Sequence, residues 1–296
     1  MEALEKTNHL YPASELTLTN DGAVYHLGVK PGDVAKDIIL VGDQGRVPLV
    51  SGFFDSVRFK AQHREFLIHT GTYHGKEISC ISTGIGTDNI DIVLNELDAL
   101  FNIDLEKRQD KAEKTKLHIV RIGTCGIFQP EIPIFSYLLT EQVLGLDNVA
   151  HYYQIKYSER EQKIGQEARD FMQFPAGILP YLTTASEELL EKLSSEKTFR
   201  GITATASGFY GPQGRNIRIP VNIPDFNEKL SAFKSSEGLR INNLEMETSW
   251  LLTLGKALGH ECITICLGLA NRVRKEFASE YQPQMKELIQ YVLNRL

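Results

Sequence analysis

The chain has few cysteines, and no two of the four are spaced as C-x-x-C. Three stand in apolar runs such as ECITICLGL, so we interpret the cysteines as buried thiols rather than as a zinc site or a disulfide framework. No apolar run approaches the roughly 20 residues that cross a bilayer. The first residues, MEALEKTNHLYPASE, lack a basic segment followed by an apolar core. These absences predict a reduced, cytoplasmic protein.

Basic residues are not in excess, since 32 Lys and Arg stand against 38 Asp and Glu, for a net charge of −6. Nucleic acids and anionic membranes attract proteins through a basic face, so general attraction to either is excluded. Any anion site must therefore be local. The chain also lacks a Pro/Ser/Gly-rich linker and internal repeats, and we interpret its 296 residues as one domain rather than two smaller ones.

Short apolar runs of strand character alternate with helical patterns along the chain. The predicted strands lie in residues 37–43, 77–86, 117–126, 136–143, 199–207 and 262–270. The clearest helical patterns lie in residues 88–101, 185–193 and 244–258. This alternation predicts an α/β fold around a largely parallel or mixed sheet. The charged segment LEKRQDKAEKTK (105–116) is typical of a solvated excursion between a helix and a strand.

Several predicted strands end in glycine followed by a polar or charged residue. Gly42 and Arg46 follow the first strand, Arg121 and Thr124 lie in VRIGTCG, and Arg64 lies in QHREF. Glycine lets backbone N–H groups approach an oxyanion, and arginine offers a planar fork of donors that matches phosphate. Each turn alone is more often structural, but together they indicate a phosphate site. It is not a P-loop, because G-x-x-x-x-G-K-[ST] does not occur.

The stretch SGFYGPQGR (207–215) combines glycines, a proline and two aromatic residues with Gln213 and Arg215. Glycine and proline at this density predict an irregular loop rather than a solvated helix face. An amide and a guanidinium two residues apart are suited to reading the edge of a planar ligand.

The stretch NNLEMETSW (242–250) predicts a helix start, with Asn242 or Asn243 as the N-cap and Glu245 and Glu247 in the first turn. The helix dipole favours acids at this position and explains them without a ligand. Alternatively, one glutamate accepts hydrogen bonds from two adjacent hydroxyls, as in a ribose diol. The sequence leaves both interpretations open.

In their order and context, these motifs resemble the nucleoside phosphorylase family, which splits N-glycosidic bonds with phosphate, and within it the uridine phosphorylases. The resemblance runs from YHLGVKPGDV (25–34) to LANRVRKEF (269–277), and the loop FY-x-x-Q-x-R is its most specific part. It implies a single α/β domain whose twisted, partly barrel-like central mixed sheet is flanked by helices. Residues 1–22 would form an N-terminal extension and 105–116 a charged insertion. It also implies a homo-oligomer, dimer or hexamer, whose active sites are shared between subunits.

Site residues follow from the same resemblance, which requires no cofactor and uses inorganic phosphate as co-substrate. Phosphate would be bound by Gly42, Arg46, Arg121 and Thr124, with Arg64 from the neighbouring subunit. Ribose would be bound by Met246, Glu247 and the neighbour's His26. The base would be bound by Gly126, Phe209, Gln213 and Arg215. Arg121, Arg215 and Glu247 would be the catalytic residues.

Some positions depart from the family pattern. Bacterial members hold a potassium ion between subunits; Glu65 matches one of its ligands, but Asn89 stands where serine is usual. Cys125 replaces the threonine or serine usual between Thr124 and Gly126, which removes a hydroxyl donor near base and sugar. The insertion 105–116 is longer than in the compact bacterial enzymes.

The resemblance predicts a pentosyltransferase that converts uridine and phosphate into uracil and ribose 1-phosphate in pyrimidine salvage. A purine or broad-specificity phosphorylase is the nearest alternative. Purine-cleaving members use an aspartate after a late strand, whereas here GLANRVR has no acid before Glu276. A nucleoside hydrolase would not need three arginines for phosphate. An inactive nucleoside-binding protein is an alternative of a different class.

Overall fold

The computed structural model describes residues 10–296, so residues 1–9 of the predicted N-terminal extension lie outside the described residues. The strands are β1 (Asp37–Val41), β2 (Ser56–His63), β3 (Phe66–Tyr73), β4 (Lys76–Ser82), β5 (Ile103–Asp104), β6 (Gln109–Asp110), β7 (His118–Ile127), β8 (Tyr137–Gly145), β9 (Tyr181–Thr184), β10 (Thr198–Thr205), β11 (Ile241–Glu245), β12 (Glu261–Asn271) and β13 (Glu276–Phe277). The helices are α1 (Arg46–Ser51), α2 (Thr87–Asn102), α3 (Glu159–Met172), α4 (Glu187–Leu193), α5 (Phe226–Ala232), α6 (Thr248–Leu258) and α7 (Gln282–Leu293).

One mixed sheet contains every strand except the β5–β6 pair, in the order β13-β12-β8-β10-β11-β7-β1-β4-β3-β2, with β9 beside β8. Strand β12 pairs both with β8 and with β7. This double pairing closes β7, β12, β8, β10 and β11 into a ring, while β1 to β4 extend the sheet outward. The predicted α/β class with a partly barrel-like mixed sheet is confirmed.

Strands and helices form where apolar residues can be buried. Strands β1, β7 and β12 read as nearly continuous apolar runs because both of their faces are covered. Helix α2 places one apolar stripe against the core, and the members of that stripe are at most 3% exposed: Ile90, Val93, Leu94, Leu97 and Leu100. The predicted helical spacing in 88–101 is therefore confirmed, and the helix extends one residue further at each end.

The predicted helix start at Asn242 or Asn243 is wrong. Both residues lie in strand β11, and their side chains bond to β10: Asn242 Nδ2 donates to the Arg200 carbonyl (2.8 Å), and Asn243 Oδ1 accepts from the Thr203 hydroxyl (3.0 Å). Helix α6 begins only at Thr248. Pairing on both sides of INNLE satisfies its backbone within the sheet, and this outweighs the N-cap preference of asparagine.

The charged segment 105–116 contains β6, which pairs with β5 just before it, and most of its residues are exposed, as a solvated excursion requires. Within residues 10–296, no helix combines the length and apolar character needed to cross a membrane. All four cysteines are buried and unpaired, as the sequence predicts.

Candidate active site

A cavity of about 610 Å³ opens where the carboxyl ends of β1, β4, β7, β11 and β12 converge. This is the place where open α/β sheets bind ligands, and the volume suits a small molecule. The predicted site residues that line it are Gly42, Arg46, Thr124, Arg121, Gly126, Phe209, Gln213, Arg215, Met246, Glu247 and Glu65. The fold thus brings together segments that lie as far apart as residues 42 and 247.

Arg121 is the electrostatic centre of one end of this cavity. Its side chain is 4% exposed on β7 and forms ion pairs with Glu247, through Nη2, and with Glu245, through Nη1 at 3.2 Å. Burial by itself would lower the pKa of Arg121, but the carboxylates of Glu247 and Glu245 outweigh it and raise the pKa. The buried Nε of Arg121 has no hydrogen-bond partner within the described part of the chain. A buried donor of this kind calls for an acceptor ligand.

The conformation of Arg121 depends on its neighbour Gly123. A Cβ added to Gly123 would lie 2.2 Å from Arg121 Nη1 and 2.9 Å from Cys266 Sγ. Only glycine leaves room for the guanidinium to fold back along the strand. The glycine of VRIGTCG, expected from sequence to admit an anion, thus makes space for the arginine itself.

Glu245 was not predicted as a site residue, yet it holds the others in place. Its carboxylate accepts hydrogen bonds from the Thr205 hydroxyl (2.6 Å) and from the backbone N–H groups of Glu247 (3.0 Å) and Thr248 (3.0 Å). It therefore caps the start of α6 while it pairs with Arg121. The prediction that Glu245 lies in the first turn of a helix is wrong, since Glu245 ends β11 and α6 begins only at Thr248.

Glu247 directs its carboxylate into the cavity. Its Oε1 accepts a hydrogen bond from the backbone N–H of Gly86 (2.9 Å), the residue that precedes α2. Gly86 has a φ of 100°, which favours glycine. Burial tends to raise the pKa of Glu247, and the adjacent Arg121 opposes this. The prediction that Glu247 lies in the first turn of a helix is wrong, since it immediately precedes α6.

The loop of residues 207–215, here called the base-reading loop, lies at the other end of the cavity. Gln213 is buried, and Arg215 Nη1 donates to Gln213 Oε1 (2.5 Å) and to the Phe209 carbonyl (2.6 Å). The Arg215 guanidinium lies 3.8 Å from the centre of the Phe209 ring. The loop therefore presents an amide and a guanidinium side by side against an aromatic face, the arrangement that the glycine-rich sequence predicts.

A second arginine, which the sequence analysis did not assign, lies beside this pair. Arg272 follows β12, and its Nη2 donates to the Gln213 carbonyl (3.3 Å). A Cβ on Gly126 would lie 3.5 Å from Arg272 Cγ, so Gly126 and Arg272 face each other across the wall. Burial and the adjacent Arg272 lower the pKa of Arg215 to about 10, which leaves both guanidinium groups charged at neutral pH. The base end is thus electropositive.

Cys125 lies between Thr124 and Gly126 in the cavity wall. Burial and a hydrogen bond with Cys266 raise the pKa of the Cys125 thiol well above its usual value. The thiol is therefore neutral at physiological pH, and we assign it no nucleophilic role.

His26 and Arg64 are the two predicted residues that the cavity lining does not include. Arg64 lies at the tip of the β2–β3 hairpin, where its φ of 54° marks a tight turn, and it is exposed. His63 Nδ1 lies 2.7 Å from the His26 carbonyl oxygen, so both predicted residues sit around one hairpin tip. His26 Nδ1 is engaged by Glu96 at 2.7 Å. These are the two residues that the resemblance assigns to the neighbouring subunit.

Glu65, which the resemblance matches to a potassium ligand, lies near Asn89. A Cβ on Gly84 would lie 2.5 Å from Asn89 Nδ2 and 3.3 Å from Glu65 Cγ, so both side chains approach the same side of Gly84. No cluster of three or more His, Cys, Asp or Glu side chains suited to a metal ion occurs among residues 10–296.

Comparison with known proteins agrees with this geometry. The family model described as the phosphorylase superfamily matches residues 36–294. The chain belongs to the phosphorylase superfamily. Uridine phosphorylase of Thermococcus kodakarensis is 32% identical over 273 residues, which cover 90% of this chain and 84% of the relative.

Two further relatives carry names that refer to different classes of nucleoside. A crystal structure of a Trypanosoma brucei nucleoside phosphorylase, described as showing uridine phosphorylase activity, is 33% identical, with a TM-score of 0.88 and coverage of 95% of this chain and 99% of that chain. A DeoD-type purine nucleoside phosphorylase of Alkaliphilus metalliredigens is 26% identical over 241 residues, covering 81% of this chain and 84% of the relative. The phosphorylase therefore has relatives of both base classes.

Proposed function

We propose that this phosphorylase cleaves uridine with inorganic phosphate to give uracil and ribose 1-phosphate. The observation that carries the proposal is the pairing of Gln213 and Arg215 at one end of the cavity. The other end holds Arg121, whose buried Nε has no hydrogen-bond partner among residues 10–296. The relatives from T. kodakarensis and T. brucei support the same activity.

At the anion end, Arg121, Arg46 and Thr124 would hold phosphate with the backbone at Gly42. Guanidinium groups bind phosphate oxygens by charge-assisted bonds and convert a bimolecular encounter into a positioned attack. Glu247 and Met246 would hold the ribose, with Glu247 accepting from the vicinal hydroxyls.

In the proposed reaction, a phosphate oxygen forms a bond to C1′ while the C1′–N1 bond breaks. The electron pair of that bond leaves with uracil as an anion, which then takes a proton from water. Arg215 and Gln213 would bond the uracil edge, and Arg215 gains most as negative charge develops on the base. Arg272 adds positive potential beside them. The reaction needs no cofactor in this scheme.

The first test is chromatographic. Purified protein is incubated with uridine, thymidine or inosine, each with and without phosphate, and free base and ribose 1-phosphate are measured. Uracil released only with phosphate supports the proposal. Hypoxanthine as the main product would contradict the assignment of the base-reading loop, and absence of product with tight nucleoside binding would favour a binding protein.

Purine cleavage is the second candidate, since a purine phosphorylase is among the relatives. Asn271 ends β12, where an acid would be needed, and both ends of its amide are committed. Its Nδ2 donates to the carbonyls of Gln129 (3.0 Å) and Ile132 (2.9 Å), and its Oδ1 accepts from the backbone N–H of Arg274 (2.9 Å). This side chain supports the loop rather than a purine ring, which favours the pyrimidine substrate.

We also propose a cytoplasmic homo-oligomer in which the hairpin tip of one subunit completes the cavity of another. Exposed Arg64 and its neighbour His26 lie outside their own cavity lining, which supports such an exchange. Size-exclusion chromatography with light scattering tests it: a monomer that cleaves uridine at full rate would contradict it.

A further inference from the structure

Glu247 occupies the position in which an anion is expected. Its carboxylate accepts from the Gly86 N–H (2.9 Å) at the start of the 16-residue helix α2, and from Arg121 Nη2. A helix N-terminus and a guanidinium are together a typical anion-binding pair. The N-cap of α2 is Gly86, which has no side chain to cap the helix, and its backbone N–H donates to Glu247.

The three nitrogen donors of the Arg121 guanidinium have different partners. Nη1 faces Glu245 at 3.2 Å, Nη2 donates to Glu247, and the buried Nε has no partner in the described part of the chain. A bidentate oxyanion uses two donors on one edge of the guanidinium. On the edge formed by Nε and Nη2, Nε has no partner in the described part of the chain, while Nη2 donates to Glu247. An oxyanion can bind both donors only if the Glu247 carboxylate moves away.

We propose that Glu247 acts as an internal competitor of phosphate, and that its release couples phosphate binding to nucleoside binding. In the free protein its carboxylate occupies the anion cradle. When phosphate takes the Nε–Nη2 edge of Arg121, the carboxylate turns to the ribose hydroxyls. This inference rests on the proposed function, because it gives Glu247 a second role in the same site.

Of the two carboxylates that pair with Arg121, Glu245 is held more firmly than Glu247. It is fixed by the Thr205 hydroxyl and by two backbone N–H groups, including that of Glu247, so it stays with Arg121 in either state. Besides Arg121, Glu247 has the Gly86 N–H at 2.9 Å and an interaction with the Met246 backbone N–H, but it has no side-chain hydroxyl donor like Thr205 among residues 10–296. Glu247 is therefore the carboxylate that moves.

Isothermal titration calorimetry tests the coupling with sulfate, an unreactive analogue of phosphate, and uridine. In the wild type, saturating sulfate should tighten uridine binding about tenfold, within the roughly 5- to 150-fold range of coupled sites, and uridine should tighten sulfate binding by the same factor. Glu247→Gln, which keeps an oxygen for Gly86, should bind sulfate at least tenfold more tightly than the wild type and lose most of the coupling.

The matched control is Glu65→Gln, which removes one negative charge from the same cavity without a contact to Arg121. It should change sulfate affinity less than threefold and keep the coupling. Glu247→Ala serves as a second variant and should tighten sulfate binding like Glu247→Gln. A coupling factor near one in the wild type, equal sulfate affinities of Glu247→Gln and Glu65→Gln, or absence of sulfate binding in all proteins would overturn the proposal.

The same titrations separate this inference from the proposed function. If uridine does not bind but inosine does, with the same sulfate coupling and the same difference between the two variants, then the base assignment fails and the exchange of Glu247 stands. If uridine is cleaved by phosphate but shows no coupling with sulfate, the proposed function stands and the exchange fails.

Discussion

Replacement of Arg215 by alanine removes the guanidinium that reads the base. In the structure this group donates to the Phe209 carbonyl (2.6 Å) and to Gln213 Oε1 (2.5 Å), and it stacks on the Phe209 ring at 3.8 Å. Arg215→Ala therefore removes a donor to the departing uracil and also the partner that orients Gln213. Both effects act at the base end and leave the anion end unchanged.

The size of the effect follows from these contacts. Removal of one donor to a developing anion costs roughly 100- to 1,000-fold in rate, or about 2.7–4 kcal/mol. The lost bond to Gln213 adds about 1 kcal/mol, since the guanidinium is only half buried and a net hydrogen bond has about this value. We expect kcat/KM for uridine to fall by about three orders of magnitude, with kcat carrying most of the loss.

The assay is the initial rate of uracil release over a range of uridine concentrations at saturating phosphate. Arg218→Ala is the matched control, because Arg218 is an exposed arginine three residues away that does not line the cavity. It should stay within twofold of the wild type. A loss below tenfold in Arg215→Ala, in a protein whose melting temperature is unchanged, would refute the role of Arg215.

Three other expectations follow. Arg121→Ala should raise the KM for phosphate so far that the rate no longer saturates with phosphate, and it should lower the free energy of unfolding by about 3–5 kcal/mol, because it leaves buried carboxylates uncompensated; an unchanged KM for phosphate would contradict this. Burial alone would raise the pKa of Glu161, but hydrogen bonds from Lys256 and from backbone N–H groups lower the pKa below 4.5. The ionised carboxylate therefore stabilises the fold above pH 4.5, and this contribution is lost as the pH falls through the lowered pKa. Glu161→Gln should thus cost about 2 kcal/mol at pH 7 and less in acid by urea unfolding, and an equal cost at both pH values would oppose it. Asn271→Asp should lower stability by about 3 kcal/mol, since two buried carbonyls lose their donor, and should release no hypoxanthine from inosine; efficient purine cleavage would mean that the side chain is not committed to its loop.

Much of the fold follows from patterns that burial imposes on sequence. Continuous apolar runs predict β1, β7 and β12, and the spacing of acids and aliphatic residues predicts α2. Glycine followed by arginine lies just after β1, and glycine followed by threonine lies in the carboxyl half of β7, at the edge of the sheet where ligands bind. Most of the predicted site residues therefore line one cavity.

Other features depend on pairing between distant segments. The β11 stretch INNLE looks like a helix start because asparagine is a good N-cap, and only its neighbours β10 and β7 reveal a strand. Arg272 carries no motif of its own, and its role appears only when the end of β12 meets Gln213. The hydrogen bond from the Thr205 hydroxyl to Glu245 likewise joins β10 to β11 across 40 residues of sequence. No local pattern encodes these contacts.

The pairing of β7 with three other strands restricts substitutions at the phosphate end of the cavity, whereas the loop at the base end is less restricted. This strand carries Arg121 and pairs with β1, β12 and β11, so a substitution there must satisfy three neighbouring strands at once. The loop 207–215 is tied mainly to itself, through bonds such as Arg215 N–H to the Tyr210 carbonyl (2.9 Å). Substitutions in loop 207–215 can therefore change the base preference during evolution, while the residues that β7 holds at the phosphate end stay the same.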